Sequence, residues 1–456
     1  MATSFIDSIS RLARSPGFKF FLVAGLILLL SIPLALVWFL VSERESRSAA
    51  VKYELAQLFG GEQQIIGPLL IVPYSVRITR VQDGKTIEDA EERFAVFLPD
   101  AFNAEGEATS EVRRRSIYDV TLYTARLKIS GNFPAPDIRL VDPDATSVRW
   151  RDAFLSLALS DVSGLKEVSA IRLSAGRTVN FEPSIGLANN TMPGLHARLF
   201  PVDAAIDQPP EAFTFETELA FNGSSSLTIA PIGRETRLSL SSDWPHPSFI
   251  GAFLPDKREI SGSGFSASWR IPHLARSIPQ AWRVVPTQTY HFHNQLSPVL
   301  SGVNFFVPVD YYAQVNRAAK YGLMFLAVAF FAVLVLELTS GRRVHAVQYV
   351  FVGIAMILFY VLLLSLSEHI GFTIAYLIAS AATGSMLSLY VGRSLQSAAR
   401  GVIMLFVFLI LYGLLYLILR LEDYALLAGA VAGFVMLTIT MFATLRVNWS
   451  GERAEA

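Results

Sequence analysis

The sequence contains no cysteine, which excludes disulfides, thiolate metal sites and a cysteine nucleophile. Charge is scarce as well: only 17% of the 456 residues are Asp, Glu, Lys or Arg, against about a quarter in ordinary soluble chains. The 38 basic and 38 acidic residues cancel, so no cationic surplus draws the chain to nucleic acid. One compact basic run lies outside the apolar regions, Arg113-Arg114-Arg115, and it reads as the solvated flank of a strand. Catalytic signatures are missing too: there is no G-x-S-x-G elbow, Walker loop, dinucleotide fingerprint or H-E-x-x-H helix. What the chain has in excess is apolar residues, 52% of the total, gathered near the N-terminus and after residue 320.

That distribution points to membrane helices rather than one enlarged core. Crossing ~30 Å of hydrocarbon takes about 20 helical residues. Six segments qualify: Phe20–Val41, Tyr321–Leu338, Ala346–Leu366, Ile370–Val391, Gly401–Leu419 and Tyr424–Leu445. Only the second holds a charged side chain, Glu337. The third and fourth form the weakest division, separated by Ser367, Glu368 and His369 alone. The first span follows Arg11, Arg14 and Lys19, as a signal peptide would. Its apolar stretch is too long for one, however, and charged Glu43, Arg44 and Glu45 follow directly, so an uncleaved anchor is expected. Pro33 is a mild kink that membrane helices tolerate.

Lysine and arginine in the short flanks set the orientation. With residues 1–19 in the cytoplasm, Arg11, Arg14, Lys19, Arg342, Arg343, Arg393, Arg400, Arg446 and Arg453 lie on that side, the last two in a tail, 446–456. The outer loops after the third and fifth spans carry only Arg420, although Arg317 and Lys320 break the pattern. This topology sends residues 42–320 across the membrane and keeps both termini inside.

The 42–320 segment is long enough for one large or two small cores. It opens with Val51, Leu55, Leu58 and Phe59 at helical spacing, ended by Gly60-Gly61, so the first span extends as a stalk. Beyond Gly67 the period becomes two. Phe213, Phe215, Leu219 and Phe221 alternate with polar neighbours, as do Phe265, Ala267, Trp269 and Ile271, each marking a strand with one wet face. Weaker candidates are Leu69–Ile78, Phe94–Leu98, Ile117–Ile129, Leu155–Leu159, Leu227–Ile229 and Leu238–Leu240. Strands joined by Gly, Pro, Ser and Asn turns predict an all-β, sandwich-like antiparallel domain. The proline-rich stretch 189–210 is the place where two lobes would divide.

Candidate chemistry is sparse. Among seven histidines, His291 and His293 have a spacing that could hold a metal on one strand face, but no carboxylate partner lies nearby in sequence. An ordinary half-buried pair is the simpler reading, and no metal or cofactor is expected. Glu337 sits near the inner end of its span, where snorkelling to Arg342, Arg343 and His345 is simpler than an ion relay. The four later spans hold no charge, which argues against ion-coupled transport though not against a carrier of lipid or apolar cargo. Glu368 and His369, in the tight outer turn, read as capping groups that could also face the domain above. Ala425, Gly429 and Gly433, like Ala375 and Ala379, form small-residue stripes that read as packing the bundle ahead of dimerisation.

Several strings carry a family resemblance: GPLLIVPY (67–74), SIYDVTLYTARLKISGNF (116–133), SSDWPHPSFIGAFLP (241–255), GFSASW (264–269), PVDYYAQVNRAAKYGLMF (308–325) and, above all, VHAVQYVFVGIAMILFYVLLLSLSEHIGF (344–372). From about residue 40 to 440 the chain resembles the CreD family of inner-membrane, cell-envelope integrity proteins. One departure is visible: an aspartate followed by an Arg-Gly pair is replaced by Asp161-Val162-Ser163-Gly164. The resemblance implies a bacterial inner-membrane protein with a periplasmic β-rich domain, active in envelope integrity and envelope-stress or β-lactam responses. It supplies no catalytic residues. The expectation is thus a non-enzymatic envelope protein whose outer domain takes an unidentified periplasmic or envelope partner while the bundle anchors or transmits. A transporter or lipid-handling protein is the alternative, and an envelope hydrolase the third.

Overall fold

Unbroken apolar runs become helices. The computed structural model describes residues 16–82, 85–187, 192–201, 206, 208–285, 295–305, 311–340, 342, 344–421 and 425–444. Its helices are α1 (Pro16–Phe59), α2 (Tyr311–Ser340), α3 (Ala346–Ile370), α4 (Phe372–Ser394), α5 (Ala398–Arg420) and α6 (Ala425–Thr444). Five of them, α1 to α5, are long and apolar enough to cross a membrane; α6 stands where the sixth span is expected. The chain divides into two compact units, one made of residues up to 49 with those from 309 onward, the other of residues 50–308.

α1, α2, α3 and α5 outrun the predicted spans, because hydropathy marks the lipid-exposed length and not the hydrogen-bonded one. α1 runs 44 residues, through Pro33, and ends at Gly60, whose φ of +119° suits glycine. The expected break across Ser367–His369 is corrected: those residues finish α3. The chain turns instead at Gly371, where φ is +78° and the amide donates to the Ser367 carbonyl. Nothing in Ser-Glu-His can leave the helix as cheaply as glycine.

In the bundle, Ala375 and Ala379 are fully buried. Gly429 receives the Tyr321 ring and Gly433 the Met324 sulfur, so the α6 stripe admits side chains of α2 and packs the chain against itself.

Among the described residues, the β unit forms a ten-stranded and a nine-stranded sheet. In the second, strand Ala101–Arg115 pairs with Tyr118–Phe133, and that with Phe213–Ser224, along most of their lengths. Phe213, Phe215, Leu219 and Phe221 point inward while Thr214 and Glu218 are exposed, as the alternation predicts. The first sheet centres on Gln63–Gln82, where Ile65, Ile66, Leu69, Leu70, Ile71 and Val72 are all sealed; a strand covered on both faces has no reason to alternate. Rings join the sheets: Tyr123 stacks on Phe305, and Phe249 meets Phe265 and Trp269 edge-on.

Two expectations need correction. The sheets are mixed, since Gln63–Gln82 runs parallel to Ser226–Ile229 and Glu235–Ser242 parallel to Ala101–Arg115. Those joins link strands distant in sequence, which no hairpin forces to be antiparallel. The 189–210 stretch does not separate lobes either. Gly194–Arg198 within it pairs with Phe154–Leu159, and one continuous apolar core unites both sheets.

Candidate functional site

Within the helical unit, α1 and α2 meet through polar groups at two levels. At one, Lys19 of α1 pairs with Glu337 of α2. At the other, Trp38 Nε1 donates to Asn316 Oδ1 at 2.7 Å. Nineteen residues of helix separate Lys19 from Trp38, about 28 Å at 1.5 Å each, close to the ~30 Å hydrocarbon thickness. Between these clasps the contact is apolar, with Leu34 against Gly322. Polar fastening therefore sits at the two rims and dispersion packing in between.

Glu337 is only 2% exposed. Besides Lys19, its Oε1 accepts the Val344 amide at 2.9 Å, and its Oε2 accepts the Tyr349 hydroxyl of α3 at 2.9 Å. Snorkelling to Arg342, Arg343 and His345 is corrected accordingly: Arg342 is exposed, His345 caps α3 with Gln348, and Arg343 lies outside the described residues. A carboxylate this deep needs charge and hydrogen bonds at once, and the Val344 amide ahead of α3 plus a tyrosine supply what flexible arginines at the rim would not. Lys19 and Tyr349 were missed by sequence reasoning, although the lysine carried a signal: under the predicted topology it lies at the same membrane face as Glu337.

Glu368 and His369 part company. Glu368, half-buried, accepts the Tyr312 hydroxyl at 3.0 Å and so ties α3 to the start of α2. His369 is exposed. The pair does not form one site with Glu337, which lies at the far end of α2. His291 and His293 lie outside the described residues. Among the described residues no cluster of three or more His, Asp or Glu side chains could hold a metal.

Aromatic groups fill the space between α3, α4 and α5. Phe359 packs on Tyr376 and Tyr412, and the Tyr376 hydroxyl donates to the Tyr412 carbonyl at 2.6 Å.

The β unit has charged centres of its own. Asp142, 3% exposed, accepts the Tyr74 hydroxyl and Arg93 Nη1, each at 2.9 Å, with the Asp144 amide on its other oxygen. Burial pushes this carboxyl up, but the hydrogen bonds from Arg93 and Tyr74 outweigh it and hold it below the usual carboxylate range. Burial, then Asp142, pushes the Tyr74 phenol well above its ordinary value. Arg276 is the opposite case: 5% exposed, it donates to the Ile232 and Gly233 carbonyls and pairs with no carboxylate among the described residues, so burial pushes it down to about 10. Arg113, Arg114 and Arg115 are exposed and paired with Glu111, Asp119 and Glu54, the solvated strand end expected.

The Asp161–Gly164 segment packs against the end of α1. A Cβ on Gly60 would meet the Gly164 Cα at 2.7 Å, and Gln63 Nε2 donates to the Asp161 carbonyl at 3.0 Å. Asp161 also accepts the Ser163 amide, and both Val162 and Ser163, the latter directly before Gly164, are exposed. The glycine of the altered motif is required by contact; the position that differs faces outward.

On its solvent side the nine-stranded sheet bears two depressions of about 750 and 810 Å³ that meet at Asn103. Arg172 and Glu216 line one; Glu105, Arg237, Asp256, Lys257 and Arg270 line the other.

A family profile described as "Inner membrane protein CreD" matches residues 15–450. The Escherichia coli (strain K12) protein of that description is 31% identical over 437 residues, which cover 96% of this chain and 94% of the relative.

Proposed function

The chain belongs to the CreD family of inner-membrane proteins, and from that premise we propose a non-enzymatic envelope-integrity and envelope-stress protein whose residues 42–320 lie in the periplasm. It is a multi-pass inner-membrane protein. In this reading α6 completes six spans, both termini are cytoplasmic, the bundle anchors or transmits, and the β unit engages an envelope partner. The observation that carries it is the wet face of the nine-stranded sheet. Its two joined depressions present both signs of charge on a rigid sheet, the setting in which a polar ligand or protein surface is held by complementary charges.

The absence of native cysteine makes orientation directly testable. A Ser239→Cys chain in intact spheroplasts is expected to react with a membrane-impermeant maleimide, and a Ser397→Cys chain only after lysis. The reverse pattern refutes the topology. A photoreactive side chain at position 239 of the full chain, illuminated in cells, is expected to give a discrete adduct that Arg237→Glu reduces. No adduct at 239, with the chain correctly inserted, counts against partner binding on this face.

A further inference from the structure

α4 and α5 diverge from a close crossing and leave a cleft between them. At the crossing, a Cβ on Gly392 would lie 2.9 Å from the Gly401 Cα, so the two backbones touch there. From this point two adjoining cavities of about 560 and 370 Å³ follow the helices. Ser385 and Leu405 line both, making one continuous cleft, and the total lies within the range of roughly 300–1,000 Å³ typical of ligand sites.

The two ends differ chemically. The first cavity is lined by Arg393 in the last turn of α4, by Gln396 and Ser397 of the connecting turn, and by Ala398, where α5 begins. Arg393 is exposed and pairs with no described carboxylate; neither α4 nor α5 contains an acidic residue. Ser397 caps α5 without a side-chain hydrogen bond, leaving the first amides of a 23-residue helix directed toward that mouth. The second cavity is apolar and aromatic, walled by Leu377, Phe408, Leu409, Tyr412 and Gly413 among others. Tyr412 is 8% exposed and its hydroxyl has no hydrogen-bond partner among the described residues. With 23 residues, α4 spans about 35 Å, so the Arg393 mouth falls at headgroup level and the aromatic part lies within the hydrocarbon.

We propose that this cleft binds an anionic phospholipid, its phosphate held by Arg393 and the α5 N-terminal amides and an acyl chain lying along Leu405, Phe408 and Tyr412. A free inorganic anion would leave the apolar part empty, and a zwitterionic lipid would bring an ammonium group to a mouth with no carboxylate. Basic pockets between membrane helices at an interface select anionic headgroups in this way. The assignment does not depend on which side of the membrane the mouth faces, nor on the partner proposed for the β unit.

The test is native mass spectrometry of the full-length chain released from detergent after titration with phosphatidylglycerol, phosphatidylcholine of identical acyl chains, or glycerol phosphate. Phosphatidylglycerol is expected to give a saturable 1:1 adduct and the other two much less. Arg393→Gln should weaken it about fivefold, the effect of one interfacial basic residue at roughly 1 kcal/mol, and Arg393→Lys should restore most of it. Leu405→Trp, which fills the waist of the cleft, should weaken it with Arg393 intact. Circular dichroism and elution volume confirm that each variant is folded. Equal retention of phosphatidylcholine, competition by glycerol phosphate at the same concentration, or wild-type binding by both Arg393→Gln and Leu405→Trp overturns the assignment.

Discussion

Asp142 in the β unit and Glu337 in the helical unit are the same device in two settings. Each is almost completely buried, and each accepts one tyrosine hydroxyl, one cationic side chain and one backbone amide. They differ in where the cation comes from. Arg93 lies directly opposite Tyr74 in the hairpin of Gln63–Gln82 with Lys85–Phe97, so that hairpin sets both donors side by side, and Asp142 joins them when the neighbouring Ala145–Val148 pairs with Gln63–Gln82. A second arginine, Arg283, stands 3.9 Å away. Lys19 is 318 residues from Glu337 and arrives only when α1 joins the bundle. Among the described residues, the sheet draws the cation for its buried charge from 49 positions away and keeps a second one near, whereas the bundle draws its cation from 318 positions away.

If that difference governs stability, the largest effect belongs to Lys19. Lys19→Met strands a buried carboxylate, which costs about 3–5 kcal/mol and should lower the thermal midpoint of the full chain in nanodiscs. The double variant Lys19→Met with Glu337→Gln should recover part of the loss, because no charge then remains unpaired. Arg93→Met removes the matching cation in the sheet, but Arg283 and water remain to Asp142. A smaller loss of about 2–3 kcal/mol is expected, the range of a hydrogen bond to a charged group, read as earlier proteolysis of the β unit in the intact chain. Equal losses at the two sites would break the comparison.

Acid sharpens it further. The folded Asp142 carboxyl titrates below its unfolded value, so its contribution is fully present above the unfolded aspartate pKa, near 4. It fades as pH falls through the folded pKa. The β unit should therefore lose stability below about pH 4, and Asp142→Asn should flatten that limb while lowering the plateau at neutral pH. The change is smaller than losing Arg93, since a protonated Asp142 still accepts the Tyr74 hydroxyl. An acid limb as steep in Asp142→Asn as in the native chain assigns the effect to other carboxylates.

Much of this architecture was legible beforehand, for identifiable reasons. Apolar runs marked the spans because lipid offers backbone polar groups no partner, and Phe213, Phe215, Leu219 and Phe221 marked a strand because its outer face meets water. Ala101–Arg115 escaped notice: its Ala, Gly and Arg residues carry little β signal, and its place between Tyr118–Phe133 and Glu235–Ser242 comes from tertiary pairing. The parallel joins and the single core are likewise long-range. Of the candidate residues, Glu337 and Glu368 could be named from their position in an apolar context, but their tyrosine partners could not. A tyrosine in a membrane helix looks like any aromatic until the neighbouring helix is placed.

The smallest prediction compares the two tyrosine–carboxylate contacts within the bundle. Tyr349→Phe and Tyr312→Phe delete the same hydroxyl, facing Glu337 at 2.9 Å and Glu368 at 3.0 Å. Glu337 is sealed, so Tyr349→Phe leaves Oε2 without a donor, an expected loss of about 1.5–3 kcal/mol. Glu368 is half-buried beside exposed His369 and Ile370, and water can take the lost position. Tyr312→Phe should therefore cost no more than about 1 kcal/mol, a shift of few degrees in the same nanodisc melt. Were Tyr312→Phe the more damaging, the Glu368 end of the bundle, and not the Glu337 end, would be where its packing depends on a buried charge.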